Sequence, residues 1–223
     1  MHLERPFELY VFDWDGTCMD TTAFIARAIQ AAAERLGFAV PSFEVAESVI
    51  GLGHADMMRR AVPDCPVSEY DRFAQAYWEA YIRQEETISG LHPGMKELLA
   101  RMKAAGLWAA VATGKSRRGL DRVLAKTGAA DLFVATRTAD EYATKPAPDM
   151  LLSLSEELCI ERSRIVMVGD AVHDLEMAAN AGVEAVGVTW GAARRETLER
   201  YRPRAVVSTV DDLARAMGVS DLA

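Results

Sequence analysis

The sequence predicts an α/β protein with a doubly wound, Rossmann-like core on a parallel sheet and an inserted all-helical domain. Three observations support this fold class. From residue 90 onward, short apolar runs alternate with amphipathic helical segments, which is typical of parallel strands joined by crossover helices. Another strand-like run lies at residues 7–12. Between these parts, residues 21–87 have helical spacing and almost no strand signal.

The first strand is predicted at residues 7–12, FELYVF, a run rich in aromatic residues that ends abruptly at Asp13. Such an apolar strand needs to be covered on both faces, and one strand alone cannot be buried. We therefore expect it to pair with the later strands.

The next segment, IARAIQAAAERLG, has helical spacing, and Gly37 is expected to end this helix. A further helical segment, YDRFAQAYWEAYIRQ, carries an aromatic stripe at the same period. We expect the stripe to form the core of the helical domain. It consists of Phe73, Tyr77, Trp78 and Tyr81.

Four helix and strand pairs then follow, with strands predicted in LWAAVAT, LFVAT, RIVMVGD and VEAVGVTW. The length of 223 residues suits one domain with an insertion. The expected α/β core covers residues 1–20 and 90–223, the helical domain covers 21–89, and the hinges lie near 18–21 and 89–94.

The composition restricts the class of protein. Half of the residues are hydrophobic and the formal net charge is −8, so a packed core is expected and binding to nucleic acid is not. The three cysteines lie far apart and no apolar run is long enough for a membrane span. We expect a cytoplasmic protein that is a monomer or a homodimer and does not bind membranes.

Polar and charged residues that could take part in chemistry follow the carboxyl ends of several predicted strands. In parallel sheets, ligands bind beyond the carboxyl ends of the strands, and here those ends carry acids, a hydroxyl, a glycine and a lysine. The residues at this edge are Asp13, Asp15, Thr113, Gly114, Lys145, Asp170 and Asp174.

Three of these acids, Asp13, Asp15 and Asp170, would repel one another unless a cation neutralised them. Carboxylate oxygens suit Mg²⁺, and Mg²⁺ with a lysine and a helix N-terminus suits a phosphoryl group. One carboxylate could act as a nucleophile and another as acid and base. These residues therefore predict phosphoryl transfer, without deciding which of Asp13 and Asp15 is the nucleophile.

The motifs DWDGT, ATG, KP and GDxxxD occur in this order and resemble the four motifs of the haloacid dehalogenase-like (HAD) hydrolases. The helical insertion lies where one subgroup carries a helical cap. Within that subgroup, DGTxxDT, GLG and VTWG are most similar to phosphoglycolate phosphatase-like members.

The resemblance implies that Asp13 is the nucleophile and that Asp15 acts as acid and then as base. It also implies a Mg²⁺ cofactor held by Asp13, the main-chain carbonyl of Asp15, and Asp170. The family's chemistry then passes through an aspartyl-phosphate.

The remaining roles also come from the resemblance. Thr113 and Gly114 would bind phosphoryl oxygens, and Lys145 would neutralise charge on the nucleophile and the phosphoryl group. Asp174 would orient the lysine or a metal-bound water. Thr17 would be the hydrogen-bond partner of Asp13.

Two groups of basic residues lie outside the four motifs. Arg59 or Arg60, in the segment GLGHADMMRR, could contact an anionic group of the substrate, or both could be surface arginines. We expect the run Lys115, Arg117 and Arg118 to form a solvated face.

The sequence therefore predicts a Mg²⁺-dependent phosphatase for a small phosphomonoester, either phosphoglycolate-like or a sugar phosphate. The alternatives are a phosphomutase acting on a sugar phosphate and a signalling module phosphorylated on aspartate. An insertion of about 65 residues argues against the signalling module, because it is far longer than ordinary α/β loops. Residues 21–87 contain no lysine, which argues against imine-dependent phosphonate cleavage.

Overall fold

The computed structural model describes residues 6–85 and 90–222. Within them, six parallel strands form one sheet in the order β3-β2-β1-β4-β5-β6. The strands are β1 (Leu9–Phe12), β2 (Trp108–Thr113), β3 (Ala135–Thr138), β4 (Ile165–Gly169), β5 (Glu184–Val188) and β6 (Ala205–Val207). The predicted fold class, a doubly wound parallel sheet with flanking helices, is confirmed.

The first strand lies at the centre of the sheet, because Leu9 is in register with Trp108 of β2 on one side and Ile165 of β4 on the other. Alternate side chains of β1 enter different cores. Tyr10 and Phe12 pack into one hydrophobic cluster, whereas Leu9 and Val11 pack into another. The strand is therefore buried on both faces, as its apolar sequence predicts.

Helices cover both faces of the sheet. The first cluster receives α5 (Met95–Ala104), α6 (Arg117–Thr127) and α10 (Val210–Ala216). The second receives α7 (Asp149–Leu158), α8 (Val172–Ala181) and α9 (Arg195–Glu199).

Four more helices, α1 (Thr22–Leu36), α2 (Phe43–Ser48), α3 (His54–Ala61) and α4 (Tyr70–Glu85), lie between β1 and α5. They share a third hydrophobic cluster, separate from the sheet. As predicted, Gly37 ends α1, with a left-handed φ of 77° that favours glycine. The expected second hinge begins at Ser89, which lies outside the described residues.

Two strand predictions differ from the structure. The segment LFVAT is predicted as a strand, but β3 begins at Ala135 because residues 130–132 form a turn of 3₁₀-helix. The short strand β6 has no counterpart among the predicted elements, since its three residues give too little periodicity. Within the described residues, no helix combines the length and apolarity needed to cross a bilayer.

Candidate active site

The carboxyl ends of β1, β2 and β4 bring together residues from distant parts of the chain. Asp13 follows β1, Thr113 ends β2, and Asp170 follows β4. Since β2 and β4 are the two neighbours of β1, these side chains meet at the centre of one edge of the sheet. Thr113, Asp13 and Asp170 are all buried.

Lys145 lies between two carboxylates. Its Nζ is 2.7 Å from Oδ1 of Asp13 and 2.6 Å from Oδ1 of Asp174. Burial alone would lower the pKa of Lys145, but the two carboxylates outweigh it and raise the pKa above its usual value. Lys145 is therefore a buried cation held by both acids.

Asp13 has fewer hydrogen-bond partners than the other buried acids of this site. Burial raises the pKa of Asp13 well above its usual value, with nearby Asp174 and Asp170 adding to the effect and Lys145 opposing it. Among the described residues, neither carboxylate oxygen accepts a well-oriented hydrogen bond. Oδ1 has the close contact with Lys145, whereas Oδ2 has no polar partner there.

Asp170 is fixed by two donors. The Thr17 hydroxyl donates to Oδ1 at 2.7 Å, and the Ala192 main-chain N–H donates to Oδ2 at 2.7 Å. Burial and nearby Asp174 raise the pKa of Asp170 to about 7 although these hydrogen bonds act in the opposite direction. The predicted pairing of Thr17 with Asp13 is not found, because the loop after β1 turns the Thr17 side chain toward the end of β4.

These acids fit a divalent cation. Carboxylate oxygens of Asp13, Asp170 and Asp174 lie within 4.8 Å of one another, and Oδ2 of Asp13 is a buried acceptor without a partner among the described residues. A hard cation would satisfy that oxygen and offset the repulsion among the acids. Asp174 is already engaged with Lys145 and with the Ala171 N–H.

The carboxylate of Asp15 lies apart from this acidic group. Its Oδ1 accepts a hydrogen bond from the Thr21 hydroxyl at 2.7 Å and lies 2.9 Å from Nζ of Lys115. The expectation of a solvated Lys115 is wrong, since its side chain is only 9% exposed. Lys115 precedes the Ser116 N-cap of α6, so its side chain turns inward from the loop instead of following the helix surface.

The loop after β2 is closely packed against the helical domain. A Cβ on Gly114 would overlap the main-chain carbonyl of Gly51. The Gly53 N–H donates to the Thr144 hydroxyl at 3.0 Å, and the Ser48 carbonyl lies 3.3 Å from Nε2 of His173. The segment from residue 48 to residue 53 thus closes over the carboxyl edge of the sheet.

Arg59 does not reach this site. Its side chain is 69% exposed and pairs with Asp56 one helical turn earlier, at 2.8 Å. Arg60 is also exposed. The helical phase of α3 directs buried Met57 and Met58 inward and both arginines outward, so the interpretation of Arg59 and Arg60 as surface arginines is the correct one.

A cavity of about 40 Å³ separates Asp15 from the helical domain. Its aromatic lining includes Tyr77, Trp78 and Tyr81, whereas Phe73 is fully buried in the core of the helical domain. The aromatic stripe therefore has two roles, since three of its four members also face the cavity beside Asp15.

Several residues of this site were not predicted. Thr21 and Lys115 hold Asp15, and the Trp190 indole N–H donates to the Thr17 carbonyl at 3.1 Å. Ala192 contributes its main-chain N–H to Asp170. The motif VTWG indicated that the Trp190 loop belongs to the site. The Ala192 donor could not be predicted, because any residue type except proline has a main-chain N–H.

The fold and this edge of carboxylates, hydroxyl and lysine define a class of hydrolase. The model of the haloacid dehalogenase-like hydrolase family matches residues 10–188, and the chain belongs to that family. Several of its relatives are phosphatases by name, and others are named tyrosine-protein kinase PtkA. The chain is thus a hydrolase of the HAD family, and the predicted resemblance is confirmed.

Two relatives align over nearly the whole chain. A phosphoglycolate phosphatase of Vibrio parahaemolyticus is 28% identical over 97% of this chain and 99% of its own length. The probable phosphatase IndB of Dickeya dadantii is 32% identical over 93% of this chain and 92% of its own. The crystal structure of a predicted phosphoglycolate phosphatase from Haemophilus somnus superimposes with a TM-score of 0.84, at 26% identity over 96% of this chain and 99% of its own.

Proposed function

We propose that the chain is a Mg²⁺-dependent phosphatase that hydrolyses a small phosphomonoester through an aspartyl-phosphate on Asp13. The observation that carries this proposal is the environment of the Asp13 carboxylate. Its carboxylate is buried, contacts the Lys145 cation through Oδ1, and has no polar partner for Oδ2 among the described residues. Such a group is positioned to bind a cation and to attack phosphorus.

Asp13, Asp170 and the main-chain carbonyl of Asp15 would hold the Mg²⁺, with Asp174 close by. When bound, Mg²⁺ supplies positive charge that offsets the phosphoryl oxygens and the buried carboxylates. Lys145 adds a second positive charge on the side of Asp13 where the phosphoryl group would arrive. The Thr113 hydroxyl and the Gly114 N–H would donate to phosphoryl oxygens at the start of α6.

The reaction has two displacements at phosphorus. A carboxylate oxygen of Asp13 attacks phosphorus, the bond from phosphorus to the ester oxygen breaks, and Asp15 donates a proton to the departing alcohol. Water then attacks the phosphorus while Asp15 takes one of its protons. The bond between phosphorus and Asp13 breaks, which releases inorganic phosphate and restores both acids.

The helical domain, residues 21–89 in our proposal, acts as the cap. Its segment 48–53 packs against the loops of Gly114 and Thr144 and against His173 at the start of α8. This packing would exclude bulk water from the aspartyl-phosphate. A cap this close to Asp15 restricts the substrate to a small molecule. Phosphoglycolate-like esters and sugar phosphates are the two candidate groups.

We also propose a cytoplasmic location and a monomeric or homodimeric state without nucleic-acid partners. The three cysteines, Cys18, Cys65 and Cys159, are all unpaired, which suits a reducing compartment. The net charge of −8 opposes attachment to a phosphate backbone.

Hydrolysis of p-nitrophenyl phosphate tests the proposal. The purified chain should release phosphate over many turnovers with Mg²⁺ and none after chelation, and Asp13→Asn should abolish turnover. A signalling module would instead take up one phosphoryl group and stop. A phosphomutase would convert a sugar phosphate into its isomer without stoichiometric release of phosphate.

A further inference from the structure

If Asp15 is the acid of the proposed reaction, the cavity beside it is where the leaving group would lie. In the proposed reaction, Asp15 exchanges its proton with the oxygen that links phosphorus to the departing alcohol. That alcohol must therefore lie against Asp15 on the side away from Asp13. A cavity lined by both Asp15 and Gly114 has a volume of about 40 Å³, so the closed cap leaves space for a compact group.

Most of the cavity wall is apolar or aromatic. The aliphatic part comes from α1, from the segment before α3 and from α3 itself, and consists of Ile25, Val49, Ile50, Leu52 and Met57. Across from it, α4 contributes Tyr77, Trp78 and Tyr81, and the rings of Tyr77 and Tyr81 stack at 6.0 Å between centroids. A charged leaving group would lose its hydration against these walls.

The charged side chains of Asp15 and Lys115 both line the cavity and form an ion pair with each other. Nζ of Lys115 lies 2.9 Å from Oδ1 of Asp15, 3.3 Å from the Tyr81 hydroxyl and 4.8 Å from the centre of the Tyr81 ring. His54 also lines the cavity. Burial, together with nearby Lys115, lowers the pKa of His54 and so favours the neutral form of this ring.

Both Thr21 and Lys115 contact the same oxygen of Asp15, Oδ1. Lys115 is therefore held between the Asp15 carboxylate and the Tyr81 hydroxyl.

We propose that this cavity selects phosphomonoesters whose leaving group is a compact, uncharged alcohol and discriminates against leaving groups that carry a carboxylate, such as that of phosphoglycolate. This inference rests on the proposed phosphatase function. It separates the chain from relatives that are named for phosphoglycolate. The discrimination arises because a carboxylate would be desolvated among apolar side chains with its nearest cation already committed.

Two esters of similar size test this selectivity. Phosphoglycolate and 2-hydroxyethyl phosphate differ only in a carboxylate that replaces a hydroxymethyl group. Steady-state phosphate release should give a kcat/KM at least ~10-fold higher for 2-hydroxyethyl phosphate, because a buried unpaired charge is strongly disfavoured. An equal or higher kcat/KM for phosphoglycolate would overturn the inference.

A charge added to the cavity provides the second test. His54→Lys places a cation on the cavity wall, and the preference should move toward phosphoglycolate by about 10-fold or more. The matched control is Ala55→Lys, which adds the same charge at an exposed neighbouring position and should leave the ratio unchanged. An unchanged ratio in His54→Lys, with p-nitrophenyl phosphate turnover retained, contradicts the proposal.

The proposed function fails in a different way. If the wild-type chain with Mg²⁺ hydrolyses none of the three esters, the phosphatase proposal is wrong and the inference falls with it. If p-nitrophenyl phosphate is hydrolysed and phosphoglycolate is the better of the two small esters, only the inference is wrong.

Discussion

Lys115 and Asp15 form an ion pair between the loop after β2 and the loop after β1, with Nζ 2.9 Å from Oδ1. Thr21, just before α1, donates to the same oxygen. The acid of the proposed reaction is thus held from both sides of the junction between sheet and cap. Its orientation depends on a residue that the sequence marks only as part of a basic run.

Lys115→Met should lower kcat for alkyl phosphates far more than for p-nitrophenyl phosphate. An alkyl phosphate needs a proton on the departing oxygen, so its kcat should fall by roughly 100-fold when Asp15 loses its orientation. The nitrophenolate of p-nitrophenyl phosphate leaves without that proton and should lose far less. The measurement is kcat for both esters, with Lys103→Met, an exposed position on α5, as the control. Equal losses on both esters would show that Lys115 has a general structural role instead.

Thr17→Val should weaken Mg²⁺ binding. The variant removes the hydroxyl that donates to Oδ1 of Asp170, and the loss of such a partner of a metal ligand costs about 10-fold in affinity or more. Titration calorimetry with Mg²⁺ measures the affinity directly. Thr17→Ser keeps the hydroxyl and should retain most of the affinity. Wild-type affinity in Thr17→Val would remove Asp170 from the proposed metal site.

Gly114→Ala should prevent closure of the cap. The added Cβ would overlap the Gly51 carbonyl, and displacement of the proposed phosphate-binding loop by about 1 Å can cost ~100-fold in rate. The check is kcat/KM on any hydrolysed ester. Lys103→Ala, at an exposed position on α5 away from the predicted hinges, is the control. Retained kcat/KM in Gly114→Ala would show that the closed arrangement is not the reactive one.

The stabilisation by Mg²⁺ should depend on pH. Burial raises the pKa of Asp170 to about 7 and raises that of Asp13 as well. Between the unfolded pKa and these folded values, the folded chain holds more protons than the unfolded chain, so the contribution of these acids to metal-free stability falls as pH rises through this window. Mg²⁺ requires the ionised carboxylates and therefore stabilises the folded state more strongly at higher pH.

Thermal unfolding measures this effect. The increase in Tm caused by Mg²⁺ should be larger at about pH 7.5 than at about pH 5.5, by roughly 2–4 °C for each kcal/mol of added stabilisation. Asp170→Asn cannot ionise at this position and should lose most of the increase at both pH values. A Tm shift of equal size at both pH values would contradict the assignment of these acids to the metal.

The sequence predicts the fold well because its strongest signals are local. The apolar run before Asp13 and the alternation of strands and helices require a buried parallel sheet. The meeting of Asp13, Thr113 and Asp170 at one edge then follows from topology, since the strands that precede them are neighbours. Short β6 and the shifted start of β3 depend on turns that periodicity does not detect.

Pairings between side chains were harder to predict. Thr17 lies two residues after Asp15, yet its hydroxyl donates to distant Asp170, because the conformation of the loop and not its position in the sequence decides the partner. The same holds for Lys115, whose position just before an N-cap directs it inward. Arg59 is a different case, because its residue type suits an anionic substrate but its position on α3 directs the side chain to solvent.

The central claim is that Asp13 is phosphorylated during turnover, and chemical trapping tests it most directly. The chain is mixed with substrate and Mg²⁺, quenched during turnover and treated with borohydride, which reduces an aspartyl-phosphate to homoserine. Peptide mass spectrometry should then find homoserine at position 13 and at no other aspartate, and only when substrate is present. Release of phosphate with position 13 unmodified, or modification of Asp15 or Asp170 instead, would contradict the claim.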